Sequence, residues 1–192
     1  MNKSKYRSVF KDLPALETHR LILRKLGIGD AQEIYEYASD DETVKYVTWW
    51  AHSTIEDSIR YIKFVLEQYD TGECADWGIV LKQNQKLIGS CGFVRLDEKN
   101  CVGEVGYVLS RKYWGQGIMP EAVSALFKFG FEVLCLNRIE ACHMLGNDRS
   151  GRVMEKCGMI YEGTLRDKMF VKGELKSVKL YSILRSEWEK RI

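Results

Sequence analysis

Proline is nearly absent, with only Pro14 and Pro120 in 192 residues. Set beside 45% hydrophobic and 29% charged residues, that scarcity excludes a low-complexity or largely disordered chain. A charge excess is also missing. The 29 basic and 27 acidic residues leave a formal +2, which gives no electrostatic footprint for nucleic acid or an anionic membrane. No apolar run approaches the ~20 residues that cross a bilayer. The basic stretch Met1 to Arg7 has no apolar segment behind it and does not read as a secretory signal. The three histidines and six cysteines show no C-x-x-C pair and no ligand spacing, so no metal is expected. An even number of cysteines permits a disulfide framework. Most of them nevertheless sit in apolar runs such as Val133-Leu-Cys-Leu136, and a chain with this much core material does not need cross-links. A reducing cytoplasmic location is the expectation.

The length suits one domain with a full core. Residues 1–12 are polar and carry no periodic pattern, which predicts a flexible N-terminal segment ahead of a domain over 13–192. Arg20 to Leu26 reads as a first strand, ended by Gly27 and Gly29. Asp30 suits the N-cap of a helix to about Ser39. Ser53 and Glu56 have capping-box spacing for a helix to Tyr69, with Ile55, Ile59, Ile62 and Leu66 as its apolar stripe. Three strand-like runs follow, Trp77 to Leu81, Lys86 to Val94 and Val102 to Leu109, joined by short polar turns as in a meander. After a loop, Pro120 fits the first turn of a helix. Arg138 to Met144 is a strand, Asn147 to Lys156 a short helix closed by Gly158, and two last strands flank a turn at Gly173. A meander followed by strand–helix–strand predicts a mixed α/β domain with one partly parallel pairing.

The segment with most chemical content runs from Gly106 to Ala122. A strand ends, a loop bearing Gly115 and Gly117 turns, and a helix begins. Backbone N–H groups at such a junction, with the fractional positive charge of a helix start, suit a pyrophosphate. Glycine lets the backbone approach the ligand closely, although a loop that needs glycine only for its turn looks the same. No Gly-Lys-Ser/Thr follows, and no third glycine or acidic strand end, so neither a P-loop nor a dinucleotide fingerprint is present.

In this segment the chain resembles the GNAT superfamily of N-acetyltransferases, whose acetyl-CoA loop reads Gln/Arg-x-x-Gly-x-Gly/Ala. The frame here is Trp114-Gly-Gln-Gly117-Ile-Met119, with Trp and Met at its outer positions. Tyr113-Trp-Gly-Gln-Gly117 is similar to the branch that acetylates N-termini of ribosomal proteins. Leu16 to Arg24, Asn147-Asp-Arg-Ser150, and Val153 to Met159 followed by Glu162-Gly163 are similar to further motifs of that branch, in order. The resemblance implies a single-domain α/β GNAT fold with a mixed, mostly antiparallel central sheet flanked by helices. It implies acetyl-CoA as donor and a primary amine as acceptor, foremost a protein N-terminus of the ribosomal-protein type, in a monomer or homodimer. The alternatives are a small-molecule amine or a non-catalytic acetyl-CoA sensor. Backbone groups of Tyr107, Val108 and Leu109 would pair with the pantetheine arm. Gly115, Gln116, Gly117, Ile118 and Met119 would hold the pyrophosphate, and Asn147 would reach the pantetheine or thioester. Arg111, Lys112 or Arg152 would neutralise phosphates or else be surface charges.

Acetyl transfer to an amine needs a base, stabilisation of the carbonyl oxygen and a proton for the leaving thiolate. Glu104, in an otherwise apolar strand just before the cofactor segment, is the leading base candidate; the competing reading pairs it with a neighbouring strand's Lys or Arg. Ser150 either hydrogen-bonds the leaving sulfur, as the family resemblance implies, or caps its helix. Trp49 and His52 occupy the connection that borders the acceptor cleft in the family, with core packing as the alternative for a tryptophan. His143 reads as structural.

Overall fold

The computed structural model describes residues 5–73 and 76–191. The elements in order are α1 (Lys5–Lys11), β1 (Leu16–Glu17), β2 (Leu21–Arg24), α2 (Ala31–Ala38), α3 (Asp41–Val44), α4 (Ile55–Thr71) and β3 (Asp76–Leu81). They continue with β4 (Leu87–Asp97), β5 (Val102–Leu109), α5 (Ile118–Glu132), β6 (Arg138–Met144), α6 (Asp148–Lys156), β7 (Ile160–Val171), β8 (Glu174–Leu184) and α7 (Arg185–Trp188). The strands form one sheet in the order β1-β2-β3-β4-β5-β6-β8-β7. Neighbours are antiparallel except β5 and β6, the pair joined through α5. This is the mixed and mostly antiparallel sheet flanked by helices that the resemblance implies.

Alternation explains the sheet's two faces. Trp77, Cys91 and Val105 point to one side, where α5 presents Leu126, Phe127, Phe129 and Phe131, all buried. Trp77 is fully buried, meets Phe129 edge-on at 5.2 Å between ring centroids, and donates Nε1 to the Pro14 carbonyl at 2.7 Å. Fully burying one such side chain contributes about 2–3 kcal/mol. On the opposite face α2 and α4 cover β3 and β4 with Ile34, Tyr37, Ile62 and Val65.

Several expectations need correction. Residues 5–11, expected within a flexible segment, form α1; Tyr6 and Phe10 lie four apart on one face and are buried, Phe10 against Trp77. Residues 1–4 lie outside the described part. The start of α4 falls one residue later than the Ser53/Glu56 spacing suggests. Thr54 is the N-cap, and the Asp57 carboxylate accepts from the backbone N–H of both Ser53 and Thr54. The buried stripe of α4 is Ser58, Ile62, Val65 and Tyr69, with Ile55, Ile59 and Leu66 only partly covered. Asp30 precedes α2 without capping it through its side chain. Its carboxylate instead grips Arg24 at 2.7 and 2.8 Å and the Gly27 N–H at 2.8 Å. These bonds hold it below the usual carboxylate range against the opposing effect of burial. Five cysteines (91, 101, 135, 142 and 157) are free thiols, and Cys74 lies outside the described residues. Among the described residues no helix is long and apolar enough to cross a membrane.

Candidate active site

β5 and β6 run parallel for three residue pairs, Val102 with Arg138 through Glu104 with Glu140, and then stop pairing. β5 continues to Leu109 and β6 to Met144, so the strands part like the arms of a V. Between the arms lies a cleft of about 1060 Å³, which continues onto the α2/α4 face of the sheet. Tyr107, Val108 and Leu109 remain paired to Cys91, Ser90 and Gly89 of β4, and their other backbone edge faces the opening.

One end of the cleft is made by the loop before α5. Gly117 is the N-cap at φ +73°, and Gly115 has φ +76°, both in the left-handed region that glycine enters without cost. A Cβ at Gly115 would meet nothing within 4 Å. The backbone N–H groups of Gly115, Gln116, Gly117, Ile118 and Met119 have no hydrogen-bond partner among the described residues. Pro120 has no N–H to offer. Four or five converging donors at a helix start form a nest for an anion. The Ile118 and Met119 side chains are buried in the core, which fixes the start of the helix. A clamp holds the loop from behind: the Glu121 carboxylate accepts from Thr18 Oγ1 at 2.5 Å, Arg20 N at 2.8 Å and Arg20 Nε at 2.7 Å. Arg20 Nη1 also donates to the Gln116 carbonyl at 3.0 Å. Thr18 and Arg20 bonds hold Glu121 below its ordinary range although its burial acts the other way. Arg149 lies over the Trp114 ring at 4.6 Å and, with Arg152 and Lys156, lines the cleft, whereas Arg111 is paired with Asp40 at 3.2 Å.

At the point of the V, Glu104 Oε1 accepts from the Cys142 thiol at 3.5 Å and Oε2 lies 3.5 Å from Arg95 Nε. Arg95 is two-thirds exposed, so that ion pair sits in water and is weak. Burial first, then the Glu104 charge, pushes Cys142 up to about 12 and keeps it a thiol. Asn147 is the N-cap of α6, its Oδ1 accepting from Ser150 N at 3.4 Å. Ser150 therefore does not cap its helix, and its Oγ lies 2.8 Å from Tyr107 Oη. Tyr107 also donates to the Ser150 carbonyl at 3.1 Å; burial raises its phenol far above the ordinary range and keeps it protonated.

The far end lies over the α2/α4 face. Trp49 and His52 line it, 5.3 Å apart by ring centroids, and His52 Nδ1 is 2.8 Å from Ser58 Oγ. Burial lowers the His52 pKa and favours the neutral ring. Tyr37, Tyr61, Asp76 and Ser90 complete this end.

A family model described as an acetyltransferase (GNAT) domain matches residues 20–160. The chain belongs to the GNAT acetyltransferases. It is similar to an uncharacterised N-acetyltransferase p20 of Bacillus licheniformis, 35% identical over 92% of this chain and 99% of that protein. The ribosomal-protein-serine acetyltransferase of Escherichia coli is 28% identical over 72% of this chain and 80% of its own length. A GNAT-family acetyltransferase crystal structure from Bacillus anthracis superimposes with a TM-score of 0.80 at 29% identity, covering 91% of this chain and all of that one. Enzymes of this family use acetyl-CoA.

Of the thirteen residues singled out for catalysis, acceptor binding or cofactor binding, all but Gln116 line the one cleft: Glu104, Tyr107, Val108, Leu109, Gly115, Gly117, Ile118, Met119, Asn147, Ser150, Trp49 and His52. Gln116 turns its amide back to the Lys112 carbonyl at 3.0 Å and offers the site only its backbone. His143 is buried and lines the cleft, with Nδ1 2.9 Å from the Met144 carbonyl and Nε2 without a hydrogen-bond partner beside Gly151. Sequence reasoning missed Asp76, Tyr61 and Glu121. Glu121 carried a signal, as the acid in the first turn of α5. Among the described residues no group of three or more His, Cys, Asp or Glu is placed to hold a metal ion.

Proposed function

We propose that this acetyltransferase moves the acetyl group of acetyl-CoA onto the N-terminal amine of a protein, of the ribosomal-protein type, within the cytoplasm. The observation that carries the reading is the parting of β5 from β6 beside the unpaired N–H groups of residues 115–119. A diphosphate fits the nest at the α5 start, and an amide-bearing arm fits the open edge of Tyr107, Val108 and Leu109 as an added strand would. Acetyl-CoA supplies the thioester whose acyl carbon the amine attacks.

The chain's own groups then divide the work. Glu104 takes the proton of the attacking amine, directly or through water, from the wall of the cleft. Ser150 Oγ donates to the departing sulfur, and the protonated Tyr107 phenol, 2.8 Å away, then turns its one proton from the Ser150 carbonyl to Ser150 Oγ. Asn147 sets Ser150 by capping α6. Trp49 and His52 border the acceptor. The E. coli relative named a ribosomal-protein-serine acetyltransferase supports the acceptor class.

The test is free-thiol release from acetyl-CoA against N-terminal peptides and small primary amines. A preference of tenfold or more in kcat/KM for the peptides is expected. Equal or better turnover of small amines would replace the acceptor, and no release with any amine would sink the reading.

A further inference from the structure

Asp76 is the first residue of β3, on the α2/α4 face of the sheet. It stands opposite Gly92 of β4, which stands opposite Gly106 of β5. The cleft runs across this face of the sheet from Asp76 to the strand that carries Glu104, with the Val94 side chain standing over Gly106. Strand spacing and rise put the Cα atoms of Asp76 and Glu104 roughly 12 Å apart. Around Asp76 the cleft is walled by Tyr37, Tyr61, His52 and Trp49. Both hydrogen bonds to the Asp76 side chain go to one oxygen: Tyr61 Oη donates to Oδ2 at 2.7 Å and Ser90 Oγ at 3.4 Å. Oδ1 has no hydrogen-bond partner, and no Lys or Arg pairs with this carboxylate, among the described residues. Asp76 is partly buried and lines the cleft, and a carboxylate so placed without a counter-ion is stabilised when a cation arrives with a ligand. Burial raises its pKa, the direction that a missing counter-ion gives. Aromatic rings around an acid are also the surroundings in which an organic cation binds well.

Resting on the acetyltransferase reading, we propose that Asp76 is a specificity residue that binds a second cationic group of the acceptor, on the order of 10 Å from the nitrogen that is acetylated. The chemistry is that of an ammonium or guanidinium, carried either by a small diamine or by a basic side chain close behind a protein N-terminus.

Two acceptor pairs test this with the whole enzyme. One compares α,ω-diamines of increasing length with monoamines of equal length. The other compares N-terminal peptides that differ only in Lys against norleucine. The cationic member of at least one pair is expected to be favoured about tenfold in kcat/KM, and which pair responds identifies the source. Asp76→Asn should erase that preference while KM for acetyl-CoA stays put, and Asp76→Glu, which keeps the charge, should retain it. No preference in either pair, or a preference that survives Asp76→Asn, overturns the proposal even if every amine is acetylated. Calorimetric titration of the same pairs into the CoA complex reads the preference without turnover, so a failure of the acetyltransferase reading remains distinguishable from a failure of this one.

Discussion

The two ends of the cleft are built from different material. At the donor end the working groups are main-chain amides from one continuous stretch, residues 115–119, beside the open edge of β5. At the acceptor end they are side chains from separate segments: Trp49 and His52 before α4, Tyr61 within it, Asp76 on β3 and Glu104 on β5. A backbone site tolerates many side chains but depends on glycine where φ turns positive, while a side-chain site depends on the identity of each member. Substitution should therefore act differently at the two ends.

The largest effect is expected from Gly117→Glu. A carboxylate a few ångströms from a diphosphate costs roughly 3 kcal/mol or more, over a hundredfold in affinity. Calorimetric titration with CoA reads it. Gly117→Ala separates the strain of φ +73° from the charge and should cost about 1 kcal/mol of stability. Affinity retained in the Glu variant would mean that the donor end lies elsewhere. At the other end, Glu104→Gln should lower kcat about a hundredfold and flatten the acid limb of the pH–rate profile, with KM for acetyl-CoA unchanged. An unaltered limb would leave Glu104 as no more than the partner of Arg95.

Ser150→Ala, at the junction of the two ends, should reduce kcat about tenfold, and less with a donor whose leaving thiol is more acidic. A loss equal for both donors would make the hydroxyl a prop for Tyr107 instead of a proton source.

The smallest effect belongs to the clamp behind the donor loop. Glu121→Gln should raise KM for acetyl-CoA a few-fold and cost roughly 1–2 kcal/mol of stability, a few degrees in Tm. The folded protein depresses the Glu121 pKa from 4.5, so this contribution is complete above that value and is lost as pH falls through the lower, folded one. The Tm gap between wild type and variant should be widest near neutral pH and close in acid. A gap independent of pH would show that the carboxylate's charge is not what Thr18 and Arg20 hold.

The same contrast explains what the sequence makes legible. Gly115, Gly117 and Pro120 announce a loop and a helix start because their spacing is local, and the observed helix begins at Ile118 with Pro120 in its first turn. Strand–helix–strand order announces the parallel pairing of β5 with β6. Where that pairing stops is a property of the whole sheet, and no local pattern carries it. Asp76 is equally silent, since a lone acid at a strand start acquires meaning only when Gly92, Gly106 and Tyr61 are brought beside it. Around α4 two overlapping capping boxes compete, Ser53 with Glu56 and Thr54 with Asp57, and the second wins because it buries Ser58 beside His52. In α1 a single apolar pair is too short a period to register, although Phe10 finds a fully buried Trp77.

Within the sheet, three paired residues join the five strands on one side of the V to the three on the other. The molecule is thus sewn together along a short seam, and a donor lying in the gap continues the stitching. A ligand at a hundredfold excess over its Kd adds about 2.7 kcal/mol to the folded state. Much of that increment should be felt as resistance to the two halves coming apart, so that loading the donor and firming the floor beneath the acceptor are one event.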